Sequence, residues 1–118
     1  MGLFRSIFGG QAGPPVEGVN AQELNDLLQS DQEFLLVDVR SPMEYEHDGH
    51  ITGARLMPLQ MLLQRAAELP QDKEIVFVCR SGNRSMVACE QMKRLGFSNV
   101  KNFDGGMIAW NMAGLPLE

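Results

Sequence analysis

The chain has 118 residues, 44% hydrophobic and 21% charged, which is the composition of a soluble globular protein with room for one domain of ordinary size. Its net charge of −5 argues against nucleic acid as a partner, because phosphate contacts depend on Lys and Arg. No apolar run approaches the ~20 residues of a transmembrane helix. Its two cysteines form no CxxC pair and have no histidine cluster beside them, which argues against a metal site and indicates a reducing, cytoplasmic compartment.

Residues 1–15 are expected to form a flexible N-terminal segment and linker, followed by one domain over residues 16–118. The stretch GGQAGPPVEG (9–18) is rich in Gly and Pro, as linkers are. The first residues fit the loose myristoylation pattern through Gly2 and Ser6, and their apolar residues have helical spacing. We expect a frayed start, because chain termini are usually poorly ordered. The alternative is a weak contact with a membrane or a partner.

Capping signals, the helical period of apolar residues and runs of β-favouring residues predict an alternation of helices and strands. The helices run from Asn20 to about Gln29, from Ser41 to Gly49, over Leu59–Leu69, from the CRSGNRS stretch to Gly96, and over a short last segment that contains Trp110. The strands are FLLVDV (34–39), a weak one over 54–57, IVFVC (75–79) and a final one over 100–103.

This alternation predicts a single α/β domain whose sheet is mainly parallel and covered by helices on both faces. In such sheets, ligands bind beyond the carboxyl ends of the strands. Cys79 ends the second strong strand, so we expect it at the edge of the sheet where binding sites form.

The stretch CRSGNRS (79–85) carries the predicted site, because each part of it suits an anionic sulfur. The amides of a helix N-terminus are unpaired and partly positive. Gly82 and Asn83 tolerate left-handed backbone angles that let amides point inward, and Arg80 and Arg84 add two charges. Such surroundings lower the pKa of a cysteine, and the thiolate is its reactive form. The simpler alternative is an ordinary buried cysteine.

We therefore predict Cys79 as the catalytic nucleophile, with the rest of the loop binding substrate. Those loop residues are Arg80, Ser81, Gly82, Asn83, Arg84 and Ser85.

Three segments resemble the rhodanese-homology domains. CRSGNRS looks like the family's active-site loop, VDVRSPMEYEHDGHITGA (37–54) is similar to its D-V-R…E-[YF]…G-H-I-x-G-A segment, and FDGGMIAW (103–110) is like its G-G…W segment. They extend over roughly residues 16 to 115 in the family's order. The resemblance implies a five-stranded parallel sheet and a ping-pong sulfur transfer through Cys79.

In the reaction that this resemblance implies, the thiolate of Cys79 takes the outer sulfur of thiosulfate or of a persulfide. The resulting persulfide passes that sulfur to cyanide or a thiol, and thioredoxin or a sulfur-relay protein is a further candidate partner. Covalent catalysis of this kind requires no metal or organic cofactor.

Two other functions compete with this interpretation. Protein phosphatases also use a Cys–loop–Arg anion site, but their arginine stands six positions after the cysteine, where this chain has Ser85. A persulfide carrier or binding module that serves one protein partner would turn over thiosulfate poorly. The phosphatase would hydrolyse an aryl phosphate, which separates it from both.

Several polar and apolar residues outside the loop have structural predictions. Arg40 and Glu44 are expected to form an ion pair, and Asp38 to bond to the backbone rather than act as an acid or base. The other expected structural residues are His50, which pins its turn, His47 on the surface, and Cys89, Trp110 and the methionines in the core or at its rim.

Overall fold

The computed structural model describes residues 15–118, so all but the last residue of the expected N-terminal segment, including the myristoylation pattern, lies outside the described residues. Five strands form one sheet in the order β1-β5-β4-β2-β3, and every pair is parallel. The strands are β1 (Glu17–Val19), β2 (Phe34–Asp38), β3 (Arg55–Leu56), β4 (Glu74–Val78) and β5 (Val100–Phe103). The predicted α/β fold with a parallel sheet is confirmed.

The helices connect these strands in the predicted places. They are α1 (Ala21–Gln29), α2 (Pro42–His47), α3 (Leu59–Arg65), α4 (Asn83–Arg94) and α5 (Gly106–Met112). Both predicted capping boxes form, with Asn20 and Ser41 each accepting from the third helical residue. The predicted helix over Leu59–Leu69 is shorter, because after Arg65 the chain tightens into a 3₁₀ turn over Ala66–Glu68. None of the helices within residues 15–118 has the length and apolarity needed to cross a bilayer.

Strand β1 was not predicted from the residues. Its three residues, Glu17, Gly18 and Val19, carry little intrinsic strand propensity. They form a strand because they pair with Lys101 to Phe103 at the edge of the sheet. The pairing of β1 depends on a strand more than eighty positions away in the chain, so no local sequence pattern predicts it.

The central strand β4 divides the core into two layers. Because side chains alternate along a strand, Ile75 and Phe77 face one layer, while Val76 and Val78 face the other. The first layer packs against α3 and α4, and the second against α1 and α5. The sheet is therefore covered on both faces, and β4 is buried along its whole length, with its last residue leading directly into Cys79.

Candidate active site

Cys79 lies at the carboxyl end of β4, and the chain turns there into α4 through a short loop. The turn depends on Gly82, the N-cap of α4, whose φ is +100°. A Cβ at this position would also collide with the backbone carbonyl of Asp104. Only glycine meets both conditions without strain. Asn83 is the first residue of α4, and no residue other than glycine has a positive φ within 15–118, so the left-handed freedom expected of Asn83 is not used.

Three donors converge on the sulfur of Cys79. The amide of Gly82 donates to Sγ at 3.1 Å and the amide of Ser85 at 3.3 Å. The hydroxyl of Ser85 lies 3.3 Å from the same atom. The two amides belong to the N-cap and the first turn of α4, where backbone N–H groups have no partner within the helix. The loop thus forms a cradle whose donors all point at one sulfur.

The pKa of the Cys79 thiol lies below its ordinary value. Burial is the largest single influence and raises it, because desolvation disfavours the thiolate. The Ser85 hydroxyl and the amides of Ser85, Gly82 and Ser81 together outweigh burial and lower it. Hydrogen bonds to the charged form therefore decide the direction, and they supply the conditions for a reactive thiolate.

The start of α5 holds this loop from behind. The amide of Met107 donates to the carbonyl of Cys79 at 2.9 Å, and that of Ile108 to the carbonyl of Arg80 at 3.1 Å. Gly106 makes this approach possible, since its φ is +61° and a Cβ there would collide with the Arg80 carbonyl. The sequence predicted a strand end and a short helix for the segment FDGGMIAW but no contact with the loop; in the structure the start of that helix braces the loop.

Asn102 is a further loop-positioning residue that the sequence analysis missed. It is buried at 2% exposure on β5, and its side-chain amide donates to the carbonyl of Gly82 at 3.2 Å and to Asp104 at 2.9 Å. The available signal was its place on the strand: side chains alternate along a strand, so Asn102 shares a face with the apolar Val100, while Lys101 shares the other face with Phe103. A buried polar group requires a partner, and here that partner is the loop.

The two arginines of the loop have different environments. Arg84 donates to both oxygens of Glu44, with Nη1–Oε1 at 2.8 Å and Nη2–Oε2 at 2.9 Å. The hydrogen bonds of Arg84 lower the pKa of Glu44 to about 2, against the opposing effect of burial. Arg80, by contrast, is exposed and lies within salt-bridge distance of no carboxylate among residues 15–118.

The predicted ion pair between Arg40 and Glu44 is wrong. Arg40 turns back to Asp38 instead, with Nε–Oδ1 at 2.9 Å and Nη2–Oδ2 at 2.8 Å. Asp38 is completely buried at the end of β2, where an unpaired carboxylate would be costly, so it takes the nearest guanidinium. Asp38 also accepts from the backbone amide of Arg40 at 3.0 Å, which confirms its backbone-bonding role.

A cleft of about 520 Å³ adjoins the loop. Its polar wall consists of Arg40, Glu44, Asp48, Arg80 and Asn111, and its apolar wall of Met107 and Ile108. Of the predicted loop residues, Gly82 and Ser85 thus contact the Cys79 sulfur. Arg80 lines the cleft, and Arg84 pairs with Glu44. Ser81 and Asn83 are exposed at the surface, although the amide of Ser81 also lowers the pKa of Cys79.

The two histidines and the second cysteine have the structural environments that the sequence indicated. His50 stacks on the ring of Tyr45 and its Nδ1 lies 3.0 Å from the Tyr45 carbonyl, whereas His47 is exposed. Cys89 lies on the buried face of α4, and burial raises its pKa to about 12. Trp110 is buried, but Met43 and Met112 are 70% and 84% exposed, beyond the rim where methionines were expected.

Comparison with known proteins identifies the family of this chain. Residues 20–113 match the Rhodanese-like domain family, so the chain belongs to that family. A sulfurtransferase of Allochromatium vinosum is 37% identical over 102 residues, which cover 86% of this chain and 94% of that protein. A putative sulfur carrier protein of Bacillus subtilis, YrkF, is 37% identical over 78% of this chain, which spans only 49% of that protein.

Solved structures show the same architecture. The crystal structure of a rhodanese-related protein from Thermoplasma volcanium superposes with a TM-score of 0.78 at 29% identity, covering 86% of this chain and 97% of that one. The fold is therefore that of a rhodanese-like domain.

Proposed function

We propose that this protein is a sulfurtransferase that moves sulfane sulfur through a persulfide on Cys79. The observation that carries the proposal is the cradle in which Gly82 and Ser85 direct three donors at one buried sulfur. The same donors stabilise the thiolate before reaction and the persulfide after it, which is electrostatic preorganisation. The sulfurtransferase relative from Allochromatium vinosum supports this choice.

In the first half-reaction, the Cys79 thiolate attacks the outer sulfur of thiosulfate or of a persulfide donor. A bond forms between Sγ and that sulfur, and the donor's sulfur–sulfur bond breaks, so that sulfite or a thiolate leaves with the electron pair. In the second half-reaction, cyanide or a thiolate attacks the outer sulfur and Cys79 leaves as the thiolate again. Covalent catalysis divides one transfer into two simpler steps without a cofactor.

We expect the reaction in a reducing, cytoplasmic setting, because Cys79 must be a free thiolate at the start of each cycle. Both cysteines are unpaired in the structure, and Cys89 is buried in the core. Thiosulfate, cyanide and small thiols are the candidate substrates, with thioredoxin or a sulfur-relay protein as candidate protein partners.

The deciding experiment measures thiocyanate formation from thiosulfate and cyanide, together with intact mass after thiosulfate alone. Wild type should gain the mass of one sulfur and turn over, and Cys79→Ser should do neither. Cys89→Ala is the matched control, because it removes the other thiol without touching the cradle. Equal activity in Cys79→Ser and wild type would refute the proposal.

A persulfide carrier is the second candidate. The relative from Bacillus subtilis that is named a putative sulfur carrier protein favours it. A carrier would gain the sulfur mass but form little thiocyanate, so the same experiment separates it from the enzyme. One similar solved structure, from Rhodopseudomonas palustris at 30% identity, is described as a possible tyrosine phosphatase. In this chain, however, Arg84 is bonded to Glu44 rather than free at the loop, so we expect no hydrolysis of an aryl phosphate.

A further inference from the structure

The cleft beside the loop is larger than a small inorganic substrate requires. Its volume of about 520 Å³ lies inside the range of ~300–1,000 Å³ that sites for organic ligands occupy. A water molecule takes about 30 Å³ in the liquid, so an anion such as thiosulfate fills only a small part of this space. The remaining volume can hold the organic part of a sulfur acceptor or donor.

Two of the four charged side chains in the cleft wall are already neutralised. Arg40 is bonded to both oxygens of Asp38, and Glu44 to both terminal nitrogens of Arg84. Neither has its full charge available to a ligand, because a close bidentate partner satisfies it. The recognition chemistry of the cleft therefore depends on its other charges.

The two charges that remain are one cation and one anion. Arg80 and Asp48 both line the cleft and both are exposed. Within residues 15–118 neither makes a salt bridge, and the two do not lie within 4.0 Å of each other. A ligand that bears a carboxylate and an ammonium group can satisfy both at once, which a simple anion cannot do.

The other walls suit the same class of ligand. Met107 and Ile108 form an apolar surface, and Asn111 offers an amide that both donates and accepts hydrogen bonds. Arg80, the residue that follows Cys79 in the chain, lines the same cleft, so the cleft adjoins the start of the loop. A small amino-acid thiol lying there keeps its sulfur close to the loop.

We propose that this cleft binds a zwitterionic amino-acid thiol, with its carboxylate on Arg80 and its ammonium group on Asp48. The inference rests on the proposed function, since the bound thiol accepts sulfur from the Cys79 persulfide. Its thiolate attacks the outer sulfur, the Cys79 Sγ–S bond breaks, and Cys79 leaves as the thiolate while the acceptor becomes a persulfide. No oxidant or reductant is consumed, because the outer sulfur simply changes partners.

Four thiols test the two contacts separately: cysteine, 3-mercaptopropionate, cysteamine and 2-mercaptoethanol. They carry both groups, the carboxylate alone, the ammonium alone and neither. Cys79 is loaded with inorganic polysulfide, the load is counted by intact mass, and the rate of sulfur release to each thiol is measured. Each rate is divided by the rate with 2-mercaptoethanol on the same variant. This ratio removes any effect that the substitution has on the reactivity of the loop itself.

Arg80→Ala should lower this ratio about fivefold for cysteine and 3-mercaptopropionate and leave cysteamine unchanged, as expected for an exposed ion pair. Asp48→Asn should lower it to a similar extent for cysteine and cysteamine only. Arg94→Ala and Asp72→Asn are the matched controls, because both residues are exposed and outside the cleft. Ratios unchanged in both test variants, or equally changed in the controls, would overturn the inference.

A binding measurement separates failure of this inference from failure of the proposed function. S-methylcysteine has both charged groups and no thiol, so it should slow alkylation of Cys79 by iodoacetamide in wild type and do so less in Arg80→Ala and Asp48→Asn. Protection without any sulfur loading would reject the sulfurtransferase while the cleft remains a zwitterion site. Loading without protection and without thiol discrimination would reject the cleft assignment alone.

Discussion

The guanidinium of Arg84 is held in two hydrogen bonds by the carboxylate of Glu44, forty positions earlier in the chain. The pair joins the first turn of α2 to the first turn of α4, and α4 supplies the amides that hold the Cys79 sulfur. An arginine that looks like a substrate-binding group in the sequence therefore also fixes the position of the cradle.

Removing this pair should weaken both the fold and the site. In Glu44→Gln the amide can keep only one of the two hydrogen bonds, and the ion pair is lost. Because Arg84 is 39% exposed, solvent screening limits the loss in the free energy of unfolding to about 1 kcal/mol or less. Glu46→Gln, an exposed neutralisation on the same helix, is the control for thermal unfolding and for sulfur transfer. Identical behaviour of the two variants would show that the pair contributes neither to stability nor to sulfur transfer.

The same pair should give the protein an acid-sensitive component of stability. The pKa of Glu44 is lowered from 4.5 to about 2 on folding, so the carboxylate favours the folded state when it is ionised. This contribution is fully present above pH 4.5 and is lost as the pH falls towards 2. The difference in unfolding free energy between wild type and Glu44→Gln, followed by denaturant titration, should therefore shrink over that interval. A difference that grows as the pH falls would contradict the assignment.

The hydroxyl of Ser85 should control how reactive Cys79 is. Ser85→Ala removes that donor but keeps the Ser85 amide, so the thiol pKa should rise from its lowered value. Since a hydrogen bond to a charged group contributes about 1.5–3 kcal/mol, alkylation of Cys79 by iodoacetamide at neutral pH should slow by about tenfold or more. Ser81→Ala is the matched control, as its hydroxyl makes no hydrogen bond to the sulfur. If the pH profile of Cys79 alkylation is the same in Ser85→Ala and wild type, the Ser85 hydroxyl does not stabilise the thiolate and the amides alone do.

The sequence predicted what depends on neighbouring residues and missed what depends on distant ones. The capping boxes at Asn20 and Ser41 extend over four residues each, so local spacing was enough to place both helices. The partner of Glu44 could not be found this way, because Arg40 is its neighbour in the chain but Arg84 is its neighbour in space. The role of Asn102 depends likewise on a contact across twenty positions.

Deletion of Met1–Gly13 should leave folding and sulfur transfer intact. The paired strand β1 begins at Glu17, and among residues 15–118 the hydrogen-bond partners of the Cys79 sulfur lie between 79 and 85. The melting temperature and the rate of thiocyanate formation should match those of the full chain. A large loss of either quantity in the truncated protein would assign the first residues a structural or catalytic role.

Gly106→Ala should disable the loop by removing the support behind it. The new Cβ would collide with the Arg80 carbonyl, so the amides of Met107 and Ile108 could no longer reach their acceptors on the loop without a backbone shift. Gly106 also has a positive φ of +61°, which by itself costs an alanine roughly 1 kcal/mol or more.

Gly114→Ala separates these two effects. Gly114 has a comparable φ of +71° but nothing within 4 Å of its Cβ position, so its substitution adds backbone strain without a collision. We expect Gly106→Ala to lose more unfolding free energy than Gly114→Ala and to lose sulfur transfer as well, while Gly114→Ala keeps its activity. Equal losses in the two variants would mean that the contact between α5 and the loop does not determine the geometry of the cradle.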